Sequence, residues 1–221
     1  EVQAAASNGA THVSLVPTTL NRIDPAIFDT ILLGGAAAPP DLPANVITTY
    51  GMTETFGGIA YNAMPLDGVE VRVRDEHIDV RSPSLFRTYR GANTADLIDG
   101  WYQTGDNGTF TNGVLHIFGR SDDMIITGGE NVWPSAVERI ISTIPGIERV
   151  VVSGIDDAQW GQRVVAWIVT RNAATPSLED VRQHVKQQLP SFCAPAEVRV
   201  VRAIPTTSLG KVNIQALKAT M

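Results

Sequence analysis

The apolar positions of the N-terminal half come in short runs broken by glycine and proline. HVSLV (12–16), TILLGG (30–35) and NVITTY (45–50) hold consecutive rather than alternating apolar residues, the pattern of strands covered on both faces. Between the first two, Asp24–Asp29 carries Pro25 where a helix could begin. VEVRVRD (69–75) and HIDVRS (77–82) alternate strictly. They predict an antiparallel hairpin turning at Asp75–Glu76, with one wet face. VLHIFG (114–119), after a turn at Asn112–Gly113, is one more strand.

The pattern changes near Arg120–Asp123. Beyond it Val137, Ile140, Ile141 and Ile144 recur at helical spacing, with Pro134 in the first turn. IERVVVSGI (147–155) and RVVAWIVT (163–170) are β-branched strands. Ser177 and Asp180 form a capping-box start for a helix with Leu178, Val181, Val185 and Leu189 on its face. EVRVVRAIP (197–205) predicts a last strand and NIQALKAT (213–220) a last short helix. The expected fold is an α/β portion over residues 1–119 with a hairpin or barrel-like part, a boundary at 120–123, and a small α+β domain over 124–221.

Composition narrows the function. The chain has 221 residues, 43% of them apolar, enough for a packed core rather than disorder. A net charge of −6 argues against an unspecific grip on nucleic acid, which needs a basic field. The single cysteine, Cys193, can build neither a disulfide framework nor a thiolate metal site; it reads as a packed thiol in a reducing, cytoplasmic setting. No apolar run is long enough for a membrane span, and no leader pattern opens the chain. EVQAAASNGA begins without methionine, as the interior of a longer polypeptide would.

Four stretches could carry chemistry. YGMTETFGG (50–58) offers backbone donors, hydroxyls and one carboxylate after a predicted strand, where α/β sheets bind ligands. It reads as a loop; Thr53 could meet phosphate oxygens and Glu54 could hold Mg2+. Taken alone it is equally an ordinary Gly/Thr-rich turn. In WYQTGDNG (101–108) Asp106 could accept both hydroxyls of a ribose, although Gly-Asp-Asn-Gly is also a common turn. GRSDDMIITGGENVWPSAVE (119–138) sets Arg120, Asp122 and the pair Gly128–Gly129 at the change of composition, where charges often mark a solvated linker. IPTTSLGKVNIQAL (204–217) places Lys211 after a glycine, either a solvated charge or a mobile cation for a developing negative charge.

In this order and spacing the four resemble the adenylate-forming superfamily: acyl-CoA synthetases, peptide-synthetase adenylation domains and luciferases. The resemblance covers essentially the whole chain and implies that a carboxylate is joined to ATP as an acyl-adenylate and then passed to a thiol. It implies Mg2+ as cofactor on Glu54, with ATP, CoA and a small carboxylate as substrates. Gly34, Gly35, Ala36, Tyr50, Gly51, Met52, Thr53, Asp106, Arg120 and Lys211 would contact ATP, with Lys211, Thr53 and Glu54 catalytic. His12, Thr55, Gly57 and Gly58 would border the acyl group. Gly128, Gly129 and Glu130 would meet CoA, and residues 120–123, with Asp122 at the pivot, would be the hinge. FGGIAYNAMPLDGVEVRV is similar to the actinobacterial o-succinylbenzoate–CoA ligases of menaquinone synthesis. The alternatives are a medium-chain or aryl acyl-CoA ligase, or a non-catalytic relic acting as a binding module.

The superfamily's Ser/Thr/Gly-rich phosphate loop is not found upstream of residue 12, so the chain reads as the C-terminal part of a longer ligase that would not adenylate at a useful rate alone. A basic residue commonly follows the last signature where KVNIQ stands. A homodimer is compatible with the family; the N-terminal part of the same enzyme is an expected partner. No G-x-x-x-x-G-K-[ST] occurs, which excludes a P-loop NTPase. His12, His77, His116 and His184 lack metal-ligand spacing and read as structural. Trp133 and Trp160 read as core rather than as a CoA border.

Overall fold

The computed structural model describes residues 1–91, 97–171, 175–207 and 211–220. Contacts divide the chain into two units, Glu1–Ile117 and Phe118–Met221.

The first unit opens with α1 (Val2–Ser7), β1 (His12–Leu15) and α2 (Pro17–Leu20). Neither helix is evident in the apolar pattern. Pro17 sits in the first turn of α2, where its missing N–H costs nothing. The helix expected over Asp24–Asp29 is only a 3-10 turn, Pro25–Ile27, in which the Asp24 carboxylate accepts from the Ala26 N–H at 3.0 Å. That side chain caps a turn too short to become a helix. β1 pairs in parallel with β2 (Thr30–Leu33) and β2 in parallel with β3 (Val46–Met52), while β4 (Gly57–Tyr61) and β5 (Met64–Pro65) continue the sheet antiparallel beyond β3. Leu15, Leu20, Phe28, Ile31, Leu33 and Val46 form its core.

β6 (Glu70–Arg74) and β7 (His77–Arg81) make the expected hairpin, with Asp75 and Glu76 both at positive φ in its turn. β8 (Leu97–Ile98), β9 (Trp101–Thr111) and β10 (Val114–Arg120) complete a second sheet ordered β10-β9-β7-β6, with β8 on β9. Here WYQTGDNG departs from expectation: it is no turn but part of an 11-residue strand. Tyr102, Thr104, Asp106 and Asn107 are buried there, so tertiary burial overrides the turn composition.

The second unit begins with a hairpin of β11 (Ile125–Thr127) and β12 (Glu130–Val132), turning at Gly128–Gly129, both at positive φ. α3 (Pro134–Ile141) follows as expected but ends before Ile144, which packs on the core from the next turn. β13 (Ile147–Asp157) and β14 (Gly161–Thr170) pair over their whole length. α4 (Leu178–Lys186) starts at the Ser177–Asp180 capping box; Leu178 is exposed and Leu189 lies beyond the helix. β15 (Glu197–Val200) is shorter than the pattern implied and runs parallel to β14. α5 (Ile214–Lys218) is capped by the Asn213 side chain accepting from the Ala216 N–H at 3.0 Å.

β14 explains the unit. Val164, Ala166 and Ile168 face α3 and α4, while Val165, Trp167 and Val169 face Ile204 and Leu217 of the chain's end. A strand covered on both faces must be apolar at every position, which is why RVVAWIVT does not alternate. Cys193 is buried on the first of these faces, as a packed thiol should be, and burial raises its pKa.

On α3, Glu138 accepts a hydrogen bond from the Val152 N–H at 2.8 Å. Burial is the main force on its carboxyl and the Asp123 carboxylate adds to it, so despite that hydrogen bond its pKa is pushed up to about 7. An acid ionised more easily unfolded than folded weakens the fold once it must ionise. The second unit is therefore expected to lose stability as pH rises from about 4.5 to about 7, and to lose no more on this account above that. Urea unfolding of Glu138→Gln across this range should lack that slope.

Candidate active site

β3 runs directly into the YGMTET motif, so Tyr50–Met52 is strand rather than loop. A 3-10 turn, Thr53–Thr55, then reverses the chain through Phe56, which sits at φ 60 with 94% of its surface exposed. Two features force this shape. A side chain at Gly51 would collide with the Gly57 carbonyl, so the returning strand can approach only a glycine. The Thr55 hydroxyl accepts from the Met52 N–H at 3.0 Å and donates to the Gly57 carbonyl at 2.7 Å. Thr55, expected beside the acyl group, is 2% exposed and turned into the hairpin as its internal staple.

The first two motifs meet. The Tyr50 hydroxyl donates to Asp106 Oδ2 at 2.6 Å, across 56 residues of sequence. Asp106 is 8% exposed; its N–H donates to the Thr104 hydroxyl at 3.1 Å, which donates to the Ile78 carbonyl at 2.9 Å. Nearby, Glu54 Oε1 accepts from the Tyr89 hydroxyl at 2.8 Å, and that hydroxyl lies 3.2 Å from the Tyr102 hydroxyl. Tyr102 first and Glu54 second hold the Tyr89 phenol protonated, its pKa raised. Neither tyrosine was singled out from the sequence. Tyr89 lies in LFRTYR, which has neither periodicity nor motif. Thr53 is exposed at the turn.

A cleft of about 540 Å³ opens beside this hairpin, lined by Ser14, Leu15 and Val16 at the end of β1, Gly34 and Gly35 after β2, and Thr49, Gly58 and Tyr61. It sits at the carboxyl ends of parallel strands, the usual ligand position in such sheets. Gly34, Gly35 and Gly58 from the sequence reading line it, whereas Ala36 and Gly57 do not. His12 does not either: it stands at the start of β1 and pairs with the Thr11 hydroxyl at 2.8 Å, while the cleft meets that strand at its other end.

In the second unit the Gly128 N–H donates to the Trp160 carbonyl at 2.9 Å. Trp160 is half exposed rather than core, its ring closing over Gly128 where a side chain would clash. Gly128, Glu130, Trp160, Phe192 and three cations, Arg163, Arg182 and Lys186, line a groove of about 440 Å³; Gly129 does not. Trp133 packs its ring 6.0 Å from Phe118. Arg120 ends β10 and Asp122 lies exposed in the 3-10 turn Ser121–Asp123. Lys211 is exposed; the Thr207 N–H donates to its carbonyl at 2.7 Å, and Thr206 bridges Val212. Ser208–Gly210 of the same motif lie outside the described residues.

Among the described residues no group of three or more His, Cys, Asp or Glu could cage a metal. His12, His77 and His116 stand on strands and His184 on α4, where its ring pairs with the Thr143 hydroxyl at 2.7 Å. A lone carboxylate such as Glu54 does fit Mg2+ that takes most of its ligands from phosphate oxygens and water. No helix among the described residues is long and apolar enough to cross a membrane.

Comparison with known proteins agrees with this architecture. Residues 136–211 match the AMP-binding enzyme C-terminal domain, and the fold of the chain as a whole is similar to the C-terminal part of adenylate-forming enzymes. It is 38% identical to a probable 2-succinylbenzoate–CoA ligase of Mycobacterium tuberculosis over 95% of this chain and 61% of that protein. It is 33% identical to the 2-succinylbenzoate–CoA ligase of Escherichia coli over 95% of this chain and 51% of that one. The o-succinylbenzoate CoA synthetase of Bacillus subtilis, solved with its acyl-adenylate intermediate, superposes with a TM-score of 0.82 at 28% identity, covering 98% of this chain and 53% of that one. The chain thus spans between half and two thirds of the length of these relatives.

Thr55→Val keeps the shape of the side chain and leaves the Met52 N–H and Gly57 carbonyl without their partner. It should cost about 1–3 kcal/mol of stability, read by urea unfolding of the first unit.

Proposed function

We propose that this chain is the working C-terminal part of an AMP-forming acid–thiol ligase. The reaction joins a carboxylate to ATP with release of pyrophosphate, then moves the acyl group from the adenylate to the thiol of CoA. The acid is o-succinylbenzoate and the product o-succinylbenzoyl-CoA, a step of menaquinone synthesis carried out in the cytoplasm. The names of the relatives support this choice of acid. The observation that carries the reading is the Tyr50–Asp106 hydrogen bond, which brings two separate motifs into one site.

Each group has a part. Asp106 accepts the ribose hydroxyls with its orientation fixed by Tyr50, whose ring lies against adenine. Gly34–Ala36 and Gly51–Thr53 contact the nucleotide, with Thr53 on its phosphates, and Gly57 and Gly58 border the acyl group. Glu54 holds Mg2+ on the phosphates; the ion supplies electrostatic relief of the charge gathering on phosphorus oxygens. Lys211 adds a cation to that charge and Arg120 contacts the same nucleotide. Asp122 is the pivot of the small domain, and Gly128, Gly129 and Glu130 flank the pantetheine arm of CoA.

The test is a coupled assay on the native protein with o-succinylbenzoate, ATP and CoA, following pyrophosphate and acyl-CoA, with benzoate and octanoate as rival acids. Lys211→Ala should slow adenylation by about 10²–10³-fold and leave transfer from preformed o-succinylbenzoyl-adenylate to CoA nearly unchanged. A preference for benzoate or octanoate would move the assignment to an aryl or medium-chain ligase; no turnover with any acid would remove the ligase reading.

A further inference from the structure

Glu54 is held by a residue that belongs to none of the sequence motifs. Tyr89, between β7 and β8, donates its hydroxyl to Glu54 Oε1 at 2.8 Å. Phe86, three residues earlier, fixes that tyrosine: its ring centroid lies 4.7 Å from the Tyr89 ring and 5.4 Å from the Tyr102 ring. The Phe86 N–H donates to the Glu54 main-chain carbonyl at 2.8 Å. One segment therefore grips both the backbone and the carboxylate of Glu54. Tyr102, 9% exposed, backs the Tyr89 hydroxyl from the strand that carries Asp106.

We propose that Tyr89 is a positioning residue for Glu54: by occupying Oε1 it presents Oε2 to the metal ion on the phosphates. A free glutamate spreads over many rotamers and its terminal torsion is broad. Mg2+ demands near-ideal octahedral directions, so a wandering carboxylate pays the ordering entropy when the ion binds. The phenol removes most of that freedom beforehand, through a hydrogen bond strengthened by the carboxylate's charge. Its donor role follows from the geometry, since an ionised carboxylate oxygen can only accept and the phenol supplies the O–H. The inference rests on the reading of Glu54 as the metal's carboxylate.

Mn2+ can replace Mg2+ as a paramagnetic probe, and its binding to the native protein with ATP can be counted by electron paramagnetic resonance without turnover. Tyr89→Phe should raise the Mn2+ concentration for half-saturation about five- to tenfold, as loss of one charge-assisted hydrogen bond implies. Its melting temperature and its metal-free ATP affinity in EDTA should match the parent. Tyr102→Phe, which leaves the Tyr89 hydroxyl on Glu54, should shift the curve less. An unchanged curve for Tyr89→Phe, or equal shifts for the two variants, overturns the proposal. Glu54→Gln separates the levels: if it too binds Mn2+·ATP like the parent, the metal reading of Glu54 fails first; if it alone loses the ion, that reading stands and only the role of Tyr89 falls.

Discussion

The hydrogen bond from Tyr50 to Asp106 is the constraint on which the first unit's site depends. Tyr50 belongs to the sheet built from β1 to β5, Asp106 to the sheet built from β6 to β10. A carboxylate 8% exposed must be hydrogen-bonded or its burial is costly, and here a partner comes from the other sheet. The bond therefore ties the two sheets together at the site, above the apolar core they share through Ile59, Ala60, Ile78, Val80, Tyr102 and Leu115. Glu54, four residues beyond Tyr50, inherits its position from the same strand end, and Gly51 and Thr55 between them hold the hairpin closed. Loss of any one of these contacts would let the hydroxyls and carboxylates drift apart, although none of them is a reacting group.

The second unit is stabilised differently. Its two cores lie on opposite faces of β13 and β14 and draw every member from residues beyond 118. A core drawn wholly from its own residues is what marks a separate domain. Its candidate functional residues sit outside this core: Gly128 and Gly129 at a hairpin tip, and Lys211 beside the bridge that precedes α5.

Much of this was legible in the sequence because period and turn chemistry are local. The hairpin at Asp75–Glu76, the helix at Pro134 and the capped helix at Ser177 all appear where their patterns place them. What the pattern misjudged depended on distant partners. WYQTGD has the composition of a turn, yet β7 on one side and β10 on the other hold it extended, and only burial reveals that. Thr55 and Thr53 are indistinguishable in TET; only the approach of Gly57 decides which faces inward. His12 lies on the predicted strand, but a strand has two ends, and the cleft is at the other. Tyr89 was silent because its meaning comes wholly from Glu54, 35 residues away.

The chemistry of the first unit's cleft limits what it can recognise. Ser14, Thr19, Thr49 and Tyr61 bring hydroxyls to it, Leu15, Val16 and Leu32 bring apolar surface, and none of its lining residues is charged. Hydroxyls on an apolar floor suit an aromatic ring and a ketone, since each polar group can be hydrogen-bonded without burying a charge. They do not suit a second carboxylate, which would need a cation or water to remain ionised. o-Succinylbenzoate carries a ring, a ketone and two carboxylates, of which only one becomes the acyl group. On the proposed function the cleft would take the ring and the ketone by shape and hydrogen bonding, and the remaining carboxylate would be met by groups other than those that line it. On that reading, discrimination between o-succinylbenzoate and a simple aryl acid would rest on that second contact, because burying the same ring contributes the same apolar area to either.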